Sequence, residues 1–216
     1  MVHMDRFQFT DEQKKYILTM GKVPVLTPAQ MDDRLADDFK LESFKFGVQY
    51  FGASRFAMAA GFLPAGPSIL HHSVEYFMLG CLSIKDTAAQ IRNYRNTYKG
   101  HNLLPLWAEL KSRYPKVGLA AFNRNVTDLS RFRQLRFPLQ MVPGGRIQIG
   151  VGQPSRKQIG AMRVPQNRDF ALDFEAIDAL IPKFFQIAEM NPRFFDYMFK
   201  HIEAEKFFTL RNATPP

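Results

Sequence analysis

Apolar residues are densest between Tyr50 and Leu82, where two runs of helical period flank a cluster of glycine and proline. Leu41, Phe44, Val48, Phe51 and Phe56 recur at three- to five-residue steps, which predicts one face of a helix beginning near Phe39. Small residues among them, Gly47, Gly52, Ala53 and Ala57, leave room for a neighbouring helix. Gly61, Pro64, Gly66 and Pro67 end that helix, and Ser68 is placed to cap the next. On the second helix Leu70, Val74, Phe77, Met78, Cys81 and Leu82 form the core face. A hinge this short predicts two antiparallel helices in contact.

The pattern before this pair is polar, and residues 1–38 are expected to be a lead-in of short helices. Thr10 and Gln13 suit the cap of one that stops at Gly21, and Thr27-Pro28 starts another, since proline in a first turn gives up no needed donor. After the pair, Asp86 opens a helical stretch that ends near Lys99-Gly100. Asn102 is the natural N-cap of a further helix whose buried stripe is Leu103, Leu106, Trp107 and Leu110. Residues 118–137 predict one more helix, ended by Pro138.

At Arg146 the period changes to two: Ile147, Ile149 and Val151 alternate with Arg146, Gln148 and Gly150. Ala161–Val164 is the candidate return strand, which predicts a small β-hairpin around 146–164. Helix is expected again from Asp169, with Phe174, Ile177, Leu180, Ile181, Phe184 and Phe185 inward and Pro182 as a kink. Asn191-Pro192 then reads as the start of a last helix rich in phenylalanine. Its aromatic residues, from Phe194 to Phe208, are too many for one stripe and point to cover by a second copy, a homodimer. The fold class is therefore mainly α, a helical bundle in one domain over residues 39–209.

Composition narrows the setting. With 46% hydrophobic residues and 21 phenylalanines in 216 residues, the chain can bury a substantial core. A single cysteine excludes an internal disulfide and suits a reducing compartment. Neither a signal-length apolar run near the N-terminus nor a membrane-length run elsewhere is present, so a cytoplasmic protein with no membrane partner is expected.

Charge adds more. Between Arg92 and Arg163 stand 14 Lys/Arg against Glu109 and Asp128 alone, a net +12 set against +9 for the whole chain. The remainder holds 15 basic and 18 acidic residues. Such a field suits an anionic partner, such as RNA, a nucleotide or an acidic protein, with Arg92, Arg95, Arg131, Arg133 and Arg136 as contacts. Pairing with the acidic N- and C-terminal thirds is the other reading of the same numbers.

Four segments, YFGASRFAMAAGFLP, HHSVEYFMLGCL, GHNLLPLW and RFRQLRFP, occur in that order. Together they resemble the HEPN superfamily, the helical domains of prokaryotic nucleotidyltransferase-associated and RNase-toxin proteins. The likeness is to bacterial members with a His-His-x-x-Glu helix followed by a Gly-His-Asp-Leu-like loop, and it covers residues 40–205. It implies an up-and-down, HEPN-like bundle of four to five helices that is commonly dimeric. Catalytic members carry Arg-x(4–6)-His, the histidine as acid/base and the arginine steadying phosphate charge in metal-independent RNA cleavage. Arg95 and His101 have that spacing here. In the RNase members, however, the motif sits at a later helix, which falls here near Arg131–Pro138, a segment without histidine.

Other constellations are less specific. His71 and Glu75 stand one helical turn apart with His72 beside them, a spacing open to a metal but better suited to a buried polar contact. His201 and Glu205 repeat it near the C-terminus, where a solvated face is the plainer reading. The glycines 144, 145, 150 and 152 with Lys157 lack the Gly-Lys-Ser/Thr ending of a phosphate loop. Cys81 lies on an apolar face as a core residue. No metal or cofactor is expected. Three functions remain: a non-catalytic module binding a nucleotide, nucleic acid or other anion; a structural or protein-interaction subunit; and a metal-independent endoribonuclease using Arg95 and His101. The last fails if His101 is buried within its own loop.

Overall fold

A computed structural model describes residues 27–62, 65–98, 101–133, 146–150, 169–191 and 193. The chain divides into two units, Met1–Arg34 and Leu35–Pro216. In the first, the backbone N–H of Gln30 donates to Thr27 Oγ1 (3.3 Å) and that of Thr27 to Gln30 Oε1 (2.9 Å). This reciprocal cap starts helix α1, Pro28–Ala59, at the Thr27-Pro28 step. The short helix expected between Thr10 and Gly21 lies outside the described residues.

In the second unit α1 pairs with α2, Ala65–Ser83. Adding a Cβ at Gly47 would bring it within 2.9 Å of the Phe77 ring, and at Gly80 within 2.8 Å of Phe44. The Ser73 hydroxyl donates to the Gly47 carbonyl at 2.7 Å, tying the two backbones where the small residues let them meet. Contacts 44/80, 47/77 and 58/66 run in opposite senses, so the helices are antiparallel. Gly61 takes the turn at a φ of 82°, a conformation open to glycine at little cost. The second helix begins at Ala65, so Ser68 sits inside it and turns its hydroxyl to the Phe132 carbonyl at 3.5 Å rather than capping.

The six predicted core residues of α2 are all fully buried, and so are Phe44 and Val48 of α1. Leu41 and Phe56, expected on the same α1 face, are exposed at 38% and 57%. Each full burial of such a side chain is worth about 1.5–3 kcal/mol. Helix α2 is the centre of the bundle, packing on α5 (Leu103–Arg113), α6 (Asn123–Arg131) and α7 (Phe174–Ala188). Between α2 and α5 lie two short helices, α3 (Ala88–Arg92), capped by a Thr87–Gln90 box, and α4 (Tyr94–Thr97).

Two expectations need correction. Residues 118–137 do not form one helix: Gly118 is left-handed at a φ of 77°, a 3-10 turn spans Leu119–Phe122, and α6 runs only from Asn123 to Arg131. Nor does helix begin at Asp169. Residues Asp169–Asp173 form strand β2, which pairs in parallel with β1, Arg146–Gly150, from Arg146 opposite Asp169 to Gly150 opposite Asp173. Phe170, Ala171 and Leu172 are all buried, so β2 shows no polar alternation and merges in sequence with the apolar helix after it. Asp173 caps that helix, its carboxylate accepting from the Ala176 N–H at 3.3 Å. The strand expected at 146 is present with β2 as its partner; the return strand Ala161–Val164 lies outside the described residues.

Helix α7 carries Pro182 within it and buries Ile177, Leu180, Ile181, Phe184 and Phe185. Beyond it the Arg193 N–H donates to Asn191 Oδ1 at 2.9 Å, the bond of an N-cap, and the helix expected to follow lies outside the described residues. No described helix is long and apolar enough to cross a membrane.

Candidate functional site

Helix α2 buries most of its circumference, and that places Glu75 in the bundle interior at 7% exposure. A carboxylate there must be hydrogen-bonded, because desolvation without partners is costly. Two imidazoles supply the bonds. His72, one turn earlier on the same helix, places Nδ1 3.1 Å from Oε2. His101, 26 residues later in sequence, places Nδ1 3.0 Å from both oxygens. Burial raises the Glu75 pKa, but the bonds from His72 and His101 and the charge of the surrounding imidazoles outweigh it, holding the carboxyl below its ordinary value. With Glu75 ionised each Nδ1 donates its N–H to the carboxylate.

His101 reaches Glu75 from the loop between α4 and α5 with its backbone at a φ of 52°. Left-handed geometry is uncommon outside glycine, and it is held from the next residue onward. Asn102 caps α5, accepting from the Leu104 N–H at 3.2 Å, and also accepts from the Ser130 hydroxyl of α6 at 3.3 Å. The His101 side chain remains 51% exposed, so the burial that would exclude its participation does not occur. Its ring meets the His72 ring edge-on at 5.1 Å, and His72 meets His71 in the same way at 5.5 Å.

The rings of His72 and His101, with Glu75, form one wall of an open cleft of about 630 Å³. Helices α3 and α4 supply the opposite side, with Arg92, Arg95 and Tyr98 lining it and Tyr76 of α2 nearby. Arg92 and Arg95 are one turn apart and exposed, and Arg95 has no ion-pair partner among the described residues. Burial pushes the phenols of Tyr76 and Tyr98 upward, so both are neutral rings with a hydroxyl to donate. Tyr76 also stacks on Tyr50 at 5.5 Å and 10°. The cleft can therefore offer two guanidinium groups, two aromatic walls and a carboxylate-anchored pair of imidazoles.

Of the residues singled out in the sequence, Arg92, Arg95 and His101 come together in this cleft within a single chain. Arg131 and Arg133 do not line it: Arg131, at the end of α6, lies over the Phe170 ring at 5.4 Å. Arg136, His201, Glu205, Lys157 and the glycines 144, 145 and 152 lie outside the described residues. Glu75 closes a polar contact, as its spacing suggested, although with His72 and His101, while His71 is buried at 1% exposure. His71, His72 and Glu75 nonetheless offer ligand atoms within 4.8 Å of one another. The His72–Glu75 spacing of three was the available signal for this pair; nothing local in the sequence joins Glu75 to His101. Cys81 is fully buried with its thiol pushed well upward by burial, and it bonds the Phe184 carbonyl at 3.5 Å, away from the cleft. Compared with known proteins, the chain matches no protein-family model, no curated protein and no solved structure.

Proposed function

We propose that the cleft between α2 and α3–α4 binds a phosphate-bearing ligand, a nucleotide or single-stranded RNA, in a non-catalytic module of HEPN-like type. The observation that carries this reading is the pair Arg92 and Arg95 on the exposed rim of a cleft walled by Tyr76 and Tyr98. Guanidinium groups grip phosphate through paired donors, and aromatic faces hold bases regardless of sequence. The net +12 between Arg92 and Arg163 attracts such a ligand from a distance. The order of the HEPN-like segments supports the same reading. Titration of a fluorescent RNA oligonucleotide and of ATP at low salt tests it: the wild type binds, and the Arg92→Ala/Arg95→Ala double variant binds roughly 10- to 100-fold more weakly. Absence of binding by the wild type would end this reading in favour of a structural subunit or one recognising an acidic protein.

A second reading, metal-independent endoribonuclease, is favoured by one observation: an exposed His101, oriented by a buried carboxylate, in the same cleft as Arg95. An imidazole so held can take or give a proton near neutral pH while the arginine steadies phosphate. Cleavage of an RNA pool in excess EDTA, lost in His101→Ala, would establish it. Intact RNA with wild-type binding retained would leave the non-catalytic module.

A further inference from the structure

We infer that His72, Glu75 and His101 form a binding site for a divalent ion of the zinc class at the inner wall of the cleft, with the buried His71 beside it. This goes beyond the ligand reading and does not depend on it. Two Nδ1 atoms approach one carboxylate oxygen at 3.0 and 3.1 Å, from two separate segments of chain. A tetrahedral ion with bonds of about 2.0–2.2 Å holds its ligand atoms about 3.3–3.6 Å apart, so each of the two nitrogen–oxygen pairs needs to widen by only a few tenths of an ångström. The ion would take the Nδ1 lone pair of each ring, and the proton that now bridges to the carboxylate would move to Nε2 of the same ring. Imidazole and carboxylate together suit zinc, iron and cobalt rather than calcium or magnesium.

Independent features favour an ion over a purely structural contact. His71 adds a third imidazole, its ligand atom within 4.8 Å of those of His72 and Glu75, so donors crowd the carboxylate beyond the two it hydrogen-bonds. The site is open on the side of His101, which gives an ion a way in and leaves a coordination position facing the cleft.

The test uses the full chain, stripped with a chelator, then titrated with Zn2+ by calorimetry and with Co2+ in the visible spectrum. The wild type takes up one Zn2+ per chain, and Co2+ gives the bands of a tetrahedral nitrogen–oxygen site. Affinity falls at least about tenfold in His101→Ala and at least about a hundredfold in Glu75→Gln, since losing even an outer-shell partner of a metal ligand costs about 10- to 100-fold. Glu42→Gln, an exposed carboxylate elsewhere on α1, leaves uptake unchanged. His101 is half exposed in a loop, so its alanine variant keeps the fold and the test stands even if Glu75→Gln is unstable. Failure of the wild type to bind stoichiometric zinc, or equal uptake by His101→Ala, overturns the inference. Neither result bears on phosphate-ligand binding, which is read separately at Arg92 and Arg95.

Discussion

Two buried carboxylates, Asp86 and Glu75, anchor this bundle in opposite ways. Asp86, 4% exposed at its side chain, accepts from Arg113 Nη1 and from the Tyr94 hydroxyl. Arg113 also donates to Glu109 at 2.7 Å and to the Leu82 carbonyl at 3.2 Å, so α2, the α3–α4 segment and α5 are bolted together. Although burial disfavours its charge, the bonds to Glu109 and Asp86 raise the Arg113 pKa further above an already permanent cation. Glu75 has the imidazoles of His72 and His101 instead, and it faces a cleft. The Asp86 carboxylate joins helices through arginine, whereas that of Glu75 stands at an open wall, where an ion or a ligand can reach its partners.

The comparison breaks most sharply at Arg113. Arg113→Ala strands the Asp86 charge and should cost about 3–5 kcal/mol in urea unfolding, the usual result of removing one partner from a buried pair. Any such variant that stays folded should bind RNA as the wild type does.

At the cleft the order of effects reverses. Arg92→Ala/Arg95→Ala should leave the melting temperature within error of the wild type yet weaken RNA binding roughly 10- to 100-fold, as expected when bonds to charged groups worth about 1.5–3 kcal/mol are lost. The slope of log affinity against log salt should fall by about 1.4, from two released phosphate contacts on a single strand.

Glu75→Gln lies between these two cases. It should cost about 1–3 kcal/mol, since the amide cannot accept both imidazole donors equally. Because the folded carboxyl sits below its ordinary value, its contribution is complete above the unfolded glutamate pKa of about 4.3 and fades as pH falls through the folded pKa. Thermal melts of the wild type should therefore show an acid limb that the glutamine variant flattens.

The smallest expected effect is at His101. Both His101→Ala and His101→Gly lose the Glu75 contact, but glycine adopts the φ of 52° without penalty. The glycine variant should be more stable than the alanine variant by about 1 kcal/mol, measured by urea titration.

Much of this architecture was legible in the chain. The 70, 74, 77, 78, 81, 82 face of α2 and the 103, 106, 107, 110 stripe of α5 follow from period alone, because single helical faces packed on a core leave that trace. The β2 strand left none: a strand buried on both sides reads as an apolar run, and Phe170–Leu172 runs straight into the helix capped by Asp173. The break at Gly118 was hidden because a left-handed glycine and a 3-10 turn keep nearly helical spacing. In the cleft, Arg95 and His101 were visible as a spacing, whereas their partner was not. Glu75 joins His101 through the placement of α2 against a loop 26 residues away, and only tertiary structure carries that information.

The central claim is that the cleft, rather than the basic segment after α6, receives the anion. RNA titration across a salt series tests it most directly, comparing Arg92→Ala/Arg95→Ala with Arg131→Ala/Arg133→Ala. Loss of affinity and a shallower salt slope in the first pair alone is the predicted result. Loss confined to the second pair would contradict it and move the binding surface to the end of α6.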